Sequence, residues 1–201
     1  MSVYYYEGAK ILAPLTITSN EPMFDVDTVS LKKQRATQNA QRWEVSFGVI
    51  AEPSTQVDLF ISSVDNLDTV TTMIMPQLTE VDKLNTLTHT STAVDGSYSA
   101  GVNVVGISAA TTTGLLPKGS FIKFSNHGKV YVTTSDTTFT SGSANVNIYP
   151  SLRTSITSSD FMRTGSECLF TYLRSIDQQT GITFTDGVLA SVGTIDLIEA
   201  L

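Results

Sequence analysis

The chain has 201 residues, 41% of them hydrophobic, which suits one domain of ordinary core or one domain carrying a smaller insert. Its 12 basic and 19 acidic residues give a net charge of -7, so we do not expect the clustered positive charge that binds nucleic acid. The single cysteine, Cys168, excludes an intrachain disulfide and a multi-cysteine metal site.

The beginning of the chain, MSVYYYEGAKIL, lacks the basic and then apolar order of a secretory signal. No run of roughly 18 apolar residues, the length that a membrane helix needs, occurs in the sequence. We therefore expect synthesis and folding in the cytoplasm, and no membrane partner.

Serine and threonine together account for 52 residues, whereas only 15% of the residues are charged. Threonine favours strands, which predicts a mainly β chain. Charge is the usual protection of exposed strand edges, so a weakly charged β surface suits a chain that is covered in an assembly. Many β proteins are rich in serine and threonine for no such reason, and both interpretations are open at this point.

The first clear element is a strand in QRWEVSFGVI, residues 41–50. Apolar and polar residues alternate there with the period of a half-buried strand, whose core positions are Trp43, Val45, Phe47 and Val49.

A helical period follows over about residues 66–88. Its apolar positions recur at spacings of three and four: Val70, Ile74, Leu78, Val81, Leu84 and Leu87. Asp65 or Asn66 is a candidate cap, and Pro76 predicts either a kink or a second short helix. Met73 and Met75 are interpreted as core filling, with a cofactor contact as the weaker alternative.

Short strands separated by glycine-rich turns return over residues 98–155, which predicts a small inserted β-barrel. Within it, Asn126-His127-Gly128 separates FIKF from KVYV, as in a hairpin whose glycine takes a positive φ. The pattern of the rest of the chain again predicts strands. The predicted fold is therefore mainly β: a sandwich or barrel domain built from residues 1–97 and 156–201, with a short helical segment and the inserted barrel.

No arrangement of residues predicts catalysis. His127 and His89 are far apart in sequence, and neither G-x-S-x-G nor a phosphate-binding glycine loop nor a calcium-loop pattern is present. We expect no enzyme activity, cofactor, metal or small-molecule substrate. His127 is interpreted as a hairpin-tip residue, with an interface or ligand contact as the alternative.

Arg153 follows a strand and a proline stop in NIYPSLRTSI, at the exit from the predicted insert. Two interpretations are open: a solvated arginine at a strand end, or a guanidinium that locks the insert onto its parent domain.

Three stretches together, QRWEVSF, PKGSFIKFSNHGKVYVTTSD and VNIYPSLRTSI, resemble virion proteins from the tail and baseplate of tailed bacteriophages. They cover about a third of the chain. The family's acidic residue after the glycine is replaced by Ser120. The matching positions are Gly119, Phe121, His127, Lys129, Val130, Tyr131, Pro150, Leu152 and Arg153.

This resemblance implies a structural protein of the virion tail, made in the host cytoplasm, that forms a ring or layer at the tail tube or baseplate. Its partners would be other copies of itself, in sixfold order, and neighbouring tail proteins. The residues expected at interfaces or in the framework are Trp43, His127, Lys129, Tyr131 and Arg153. The alternative is a carbohydrate-binding adhesin of the tail tip, which would need exposed aromatic rings; the one tryptophan, Trp43, alternates with core residues.

Overall fold

The computed structural model describes residues 4–27, 33–37, 40–50, 53–65, 68–140, 142–175, 183–185, 188–191 and 193–201. The chain divides into two compact units. Thr72–Thr171 forms one, here called the barrel unit, and Ser2–Thr71 with Tyr172–Ala200 forms the other, called the sheet unit.

The described residues confirm a mainly β fold. The strands are β1 Tyr5–Tyr6, β2 Ala9–Asn20, β3 Met23–Asp27, β4 Lys33–Thr37, β5 Arg42–Ile50, β6 Thr71–Ile74, β7 Ser91–Ala93, β8 Val104–Ser108, β9 Gly114–Leu116, β10 Phe121–Phe124, β11 Val130–Thr133, β12 Thr137–Phe139, β13 Ser143–Tyr149, β14 Phe161–Thr164, β15 Leu169–Arg174, β16 Thr183–Thr185, β17 Val188–Ser191 and β18 Thr194–Glu199. The helices are α1 Pro53–Asp65 and α2 Thr79–Leu84, and Gly165–Glu167 forms a 3-10 turn.

The barrel unit is built on one curled antiparallel sheet with the strand order β7-β14-β10-β11-β13-β8. Its two outer strands meet beyond the end of β7, where Val94 and Ile107 form an antiparallel bridge. Next to that bridge, the Asp95 N–H donates to the Gly106 carbonyl over 3.1 Å. The sheet therefore curls until its edges join, as in a small barrel.

The inside of this curl is a continuous apolar core. The small sheet of β9 and β12 adds Leu116 and Phe139 to it. The other buried members are Val94, Val105, Ile107, Ala109, Ile122, Phe124, Tyr131, Val146, Ile148, Leu152, Ile156 and Met162.

The sheet unit contains the antiparallel strand order β1-β2-β5-β18-β15. The predicted alternation in β5 is confirmed at Trp43, Val45 and Phe47, which are buried while the residues between them are partly exposed. The fourth predicted core position, Val49, is only partly buried. Two further strand pairs in this unit, β3 with β4 and β16 with β17, are separate two-stranded sheets.

The boundaries of the units differ from those of the predicted insert. The ends of residues 98–155 do lie side by side, because Tyr98 and Ile156 form a bridge. However, β7 and β14, outside that range, are two of the six strands of the curled sheet. The chain instead passes between the units after Thr71 and after Thr171.

The helix predicted over residues 66–88 is wrong for most of its described length. Thr71–Ile74 is a strand in which Met73 is buried and Ile74 is exposed, a two-residue alternation that continues to the fully buried Met75. Helix is confined to α2, and two residues of the supposed apolar face, Leu78 and Leu84, are exposed. The β-branched Thr71, Thr72 and Ile74 favour the strand.

The core-filling role of the two methionines is confirmed, since both are buried. The candidate cap Asn66 lies outside the described residues. A helix that the sequence did not predict, α1, begins at Pro53, a residue suited to the first helical position, and buries Leu59.

Candidate functional site

The hairpin of β10 and β11 carries most of the residues singled out by sequence. Phe121 pairs with Val132, Ile122 with Tyr131 and Lys123 with Val130, so the predicted hairpin is confirmed. Its connection spans residues 125–129, and Gly128 does not take the predicted positive φ. A five-residue connection needs no left-handed residue at that position, unlike a two-residue turn.

A relay of four hydrogen bonds ties this connection to the segment that follows β13. The Arg153 backbone N–H donates to Tyr131 Oη over 3.0 Å, and Tyr131 Oη lies 2.8 Å from His127 Nε2. His127 Nδ1 contacts Asn126 Oδ1, and Asn126 Nδ2 donates to the Ser155 carbonyl over 2.9 Å. We name this set the hairpin relay.

The relay fixes the protonation of the imidazole. An amide oxygen can only accept, so His127 Nδ1 carries the proton and donates to Asn126 Oδ1. In the neutral ring Nε2 is then the acceptor for the Tyr131 hydroxyl. Both ring nitrogens are thus engaged.

The surroundings of His127 favour its neutral form. Burial is the main cause that lowers the pKa of His127 to about 4. The positive charges of Lys123, Arg153 and Lys129 act in the same direction, whereas the Asp160 carboxylate acts against them. The neutral imidazole accepts the Tyr131 proton, which the charged form could not do.

Aromatic packing holds the same side chains. The Phe124 and Tyr131 rings meet edge to face with centroids 5.5 Å apart, and the His127 and Tyr131 rings do so at 5.7 Å. Phe124 and Tyr131 belong to the barrel core. The relay is therefore anchored in the core at one end and reaches the surface at Asn126, which is exposed.

The three basic residues Arg153, Lys129 and Lys123 have different environments. Arg153 has an exposed side chain, and it is its backbone N–H that joins the relay. Lys129 is almost completely buried, at 2% exposure. Lys123 reaches back across the unit, where its Nζ donates to the Leu169 carbonyl and lies 3.1 Å from Thr171 Oγ1.

Trp43 does not belong to this cluster, because it lies in β5 of the sheet unit and is 6% exposed. Its backbone N–H donates to Glu199 Oε2 over 3.1 Å. An indole buried in this way is not available for stacking on a sugar.

The sheet unit has a second buried polar group, around Arg174. Its Nε donates to Tyr6 Oη over 3.1 Å, and its Nη2 lies 3.7 Å from Glu7 Oε2. Burial raises the pKa of both Tyr6 and Tyr172. Among the described residues, Nη1 and Nη2 of Arg174 have no hydrogen-bond partner.

The Glu7 of this group is the first residue of the two-residue turn between β1 and β2, and it has a φ of 46°. Gly8 follows it with a φ of 82°, so both turn residues are left-handed, as a tight hairpin requires. A non-glycine residue in this region is strained.

A cavity of about 320 Å³ lies in the sheet unit. Its lining is polar in part, with the carboxylates of Glu44 and Asp196 beside the hydroxyls of Thr18, Ser46 and Ser175. No aromatic ring is among the described residues that line it. The described part of the lining thus offers no ring on which a sugar could stack.

Among the residues that the structure describes, no group of three or more His, Cys, Asp or Glu side chains could hold a metal ion. Neither described helix has the length and apolar character needed to cross a membrane. No protein-family model and no curated protein sequence matches the chain.

The sequence indicated three members of the relay, His127, Tyr131 and Arg153, but missed Asn126 and Ser155. The missed partners act through a side-chain amide and a backbone carbonyl, which leave no periodic signal. Arg174 could have been found: in LFTYLR the alternation that buries Phe170 and Tyr172 also places Arg174 on the core face.

Proposed function

We propose that this chain is a structural protein of a tailed-bacteriophage virion, a subunit that joins identical copies in a ring or layer at the tail tube or baseplate. Its partners would be those copies and the neighbouring tail proteins. It would be made in the host cytoplasm and act in the virion tail.

The proposal rests on the structural role of the residues that carry the resemblance to tail proteins. His127, Tyr131 and Arg153 come from two separate stretches of the resemblance, and the hairpin relay connects them through hydrogen bonds. Such a relay holds the shape of a hairpin. Residues that stabilise the structure and take no part in a reaction are expected in a subunit of an assembly.

No catalytic role is proposed for the relay. A general base needs a free nitrogen within reach of its substrate, and a pKa near the working pH. Both nitrogens of His127 are engaged, and its pKa lies at about 4. The proposal includes no cofactor, metal, nucleic acid or small-molecule substrate.

The adhesin alternative is less well supported. Sugar recognition uses exposed aromatic faces, whereas Trp43 is buried and the polar cavity has no aromatic lining among the described residues. Three other aromatic residues, Tyr5, Phe24 and Phe161, are exposed, but they lie on three different strands, β1, β3 and β14.

The proposal is tested on intact particles of the phage that encodes the chain. Mass spectrometry of purified virions should detect it, and gold-labelled antibody in negative stain should mark the tail. Quantification against the major capsid protein should give a copy number that is a multiple of the ring order. Its absence from intact particles would overturn the proposal.

A further inference from the structure

The two strands β3 and β4 form an antiparallel ribbon with open edges. Met23 pairs with Thr37, Asp25 with Arg35 and Asp27 with Lys33. Within the described residues this sheet has no third strand on either side. Each outer edge therefore offers a row of backbone donors and acceptors that another strand can pair with.

Two apolar side chains of the ribbon are exposed to solvent. Met23 is 52% exposed and Phe24 is 61% exposed. A two-stranded ribbon has marginal stability in water unless a further strand or another surface covers it. Open edges and exposed apolar side chains together favour pairing with a strand of another molecule.

The charges of the two strands are opposite. The sequence of β3, MFDVD, has two acidic and no basic residues, whereas β4, KQRAT, has two basic and no acidic residues. Within one copy the arrangement is already used, because Lys33 Nζ lies 3.6 Å from Asp25 Oδ2. The ribbon thus has one acidic edge and one basic edge.

These charges select the partner's geometry. A two-fold contact would place β3 against β3, or β4 against β4, and like charges directly opposite each other are destabilising. Pairing β4 of one copy with β3 of the next brings opposite charges together. Because β3 and β4 are antiparallel, a second copy that lies beside the first with its strands in the same directions presents its β3 antiparallel to β4, with the register that already exists within one copy.

We propose that the β3–β4 ribbon is the contact between copies of this chain, with the basic edge of one ribbon paired to the acidic edge of the next. Each copy then uses one edge on each side, which is a heterologous contact, and such a contact forms a ring when the rotation between successive copies closes. Backbone hydrogen bonds and the cover of Met23 and Phe24 supply the affinity, whereas the charges set orientation. This inference rests on the proposed function, which it deepens by naming the joining surface.

The first test distinguishes contacts within a copy from contacts between copies. Full-length chain with natural isotopes is mixed with an equal amount of ¹⁵N-labelled chain and treated with a carbodiimide, which joins Lys33 to a carboxylate in contact with it. Peptides that link Lys33 to Asp25 or Asp27 should include pairs with one light and one heavy partner. Links of a single isotope alone would overturn the inference.

The second test exchanges the edges. The variant D25K/D27K/K33D/R35D keeps opposite charges within the ribbon, so it should assemble with itself as the unchanged chain does. Mixed with the unchanged chain, it would place basic against basic and acidic against acidic edges. Native mass spectrometry should then show two separate sets of oligomers. Free mixing, or failure of the variant to self-assemble, would contradict the inference.

Failure of these tests differs from failure of the proposed function. A chain that is present in virion tails but gives no inter-copy ribbon links would retain its place in the tail and lose this joining surface. A chain that forms the links but is absent from virions would retain the surface and lose the proposed location.

Discussion

The curled sheet of the barrel unit and the β3–β4 ribbon of the sheet unit treat their edges in opposite ways. The curled sheet joins its outer strands through the Val94–Ile107 bridge, whereas no strand among the described residues pairs with either outer edge of the ribbon. The first arrangement pairs its outer strands with each other within the chain, whereas the second presents edges with which another strand can pair. If the ribbon is the contact between copies, as proposed above, the barrel unit supplies stability and the ribbon supplies association.

Their aromatic residues show the same contrast. Phe124 is fully buried in the barrel core, whereas Phe24 in the ribbon is 61% exposed. The same substitution at the two positions should therefore separate folding from assembly.

The largest effect is expected from Phe124→Ala. Removing a fully buried ring leaves a cavity against Tyr131 and should lower the free energy of unfolding by about 3–5 kcal/mol. Urea unfolding measures this directly. Phe161→Ala is the matched control, because Phe161 is 43% exposed in the same sheet. Equal losses for the two variants would show that the curled sheet does not enclose the core.

Acid should weaken the barrel unit through His127. Its pKa falls from 6.5 to about 4 on folding, so the unfolded chain takes up the proton first as the pH falls. The free energy of unfolding should therefore decrease from about pH 6.5 to about pH 4 and change no further through this group. Because the side chain is partly exposed, we expect a contribution on the order of 1–3 kcal/mol.

This pH dependence is isolated by comparison with variants. His127→Gln should have a shallower loss of stability over that range, whereas His89→Gln, at an exposed position, should follow the unchanged chain. Carboxylates titrate in all three proteins, so only the difference between the curves reports on His127. Identical curves for the unchanged chain and His127→Gln would refute the assignment.

A smaller effect is expected from Tyr131→Phe. The variant keeps the ring in the core but removes the hydroxyl that contacts His127 Nε2 and accepts from the Arg153 N–H. The expected loss is about 1–2 kcal/mol, together with faster amide hydrogen exchange at Arg153. Tyr98→Phe, which removes a hydrogen bond to Asp95, should leave that exchange rate unchanged.

Strands could be predicted from sequence where one alternating pattern decides the structure. In β5 the alternation of Trp43, Val45 and Phe47 with polar residues has one reading, and the structure confirms it. At residues 71–74 the sequence also fits a helical spacing, because Ile74 lies four residues after Val70 and four before Leu78. The strand there depends on pairing with distant residues, such as the hydrogen bond from Met75 N to the Cys168 carbonyl, which no local pattern reveals.

The candidate site follows the same rule. The hairpin and the position of His127 in its connection come from local turn chemistry, and the sequence predicted them. The relay depends on Asn126 meeting Ser155 across 29 residues, and the curled sheet recruits β7 and β14 from outside the predicted insert. Such contacts are set by how the sheet closes, which sequence periodicity does not encode.

The smallest effect on folding is expected from Phe24→Ala, the counterpart of Phe124→Ala. An exposed side chain contributes little to the folded state of one copy, so the free energy of unfolding should change by less than about 0.5 kcal/mol. Association should weaken all the same, because a neighbouring ribbon that covers Phe24 would lose apolar contact. Sedimentation measurements over a range of concentrations report the assembly, and Val57→Ala, at an exposed position in α1, is the control.

If Phe24→Ala assembled like the unchanged chain, the exposed ring would lie outside the contact between copies. If it unfolded as readily as Phe124→Ala, the ring would be packed within one copy, and the contrast between the closed sheet and the open ribbon would fail.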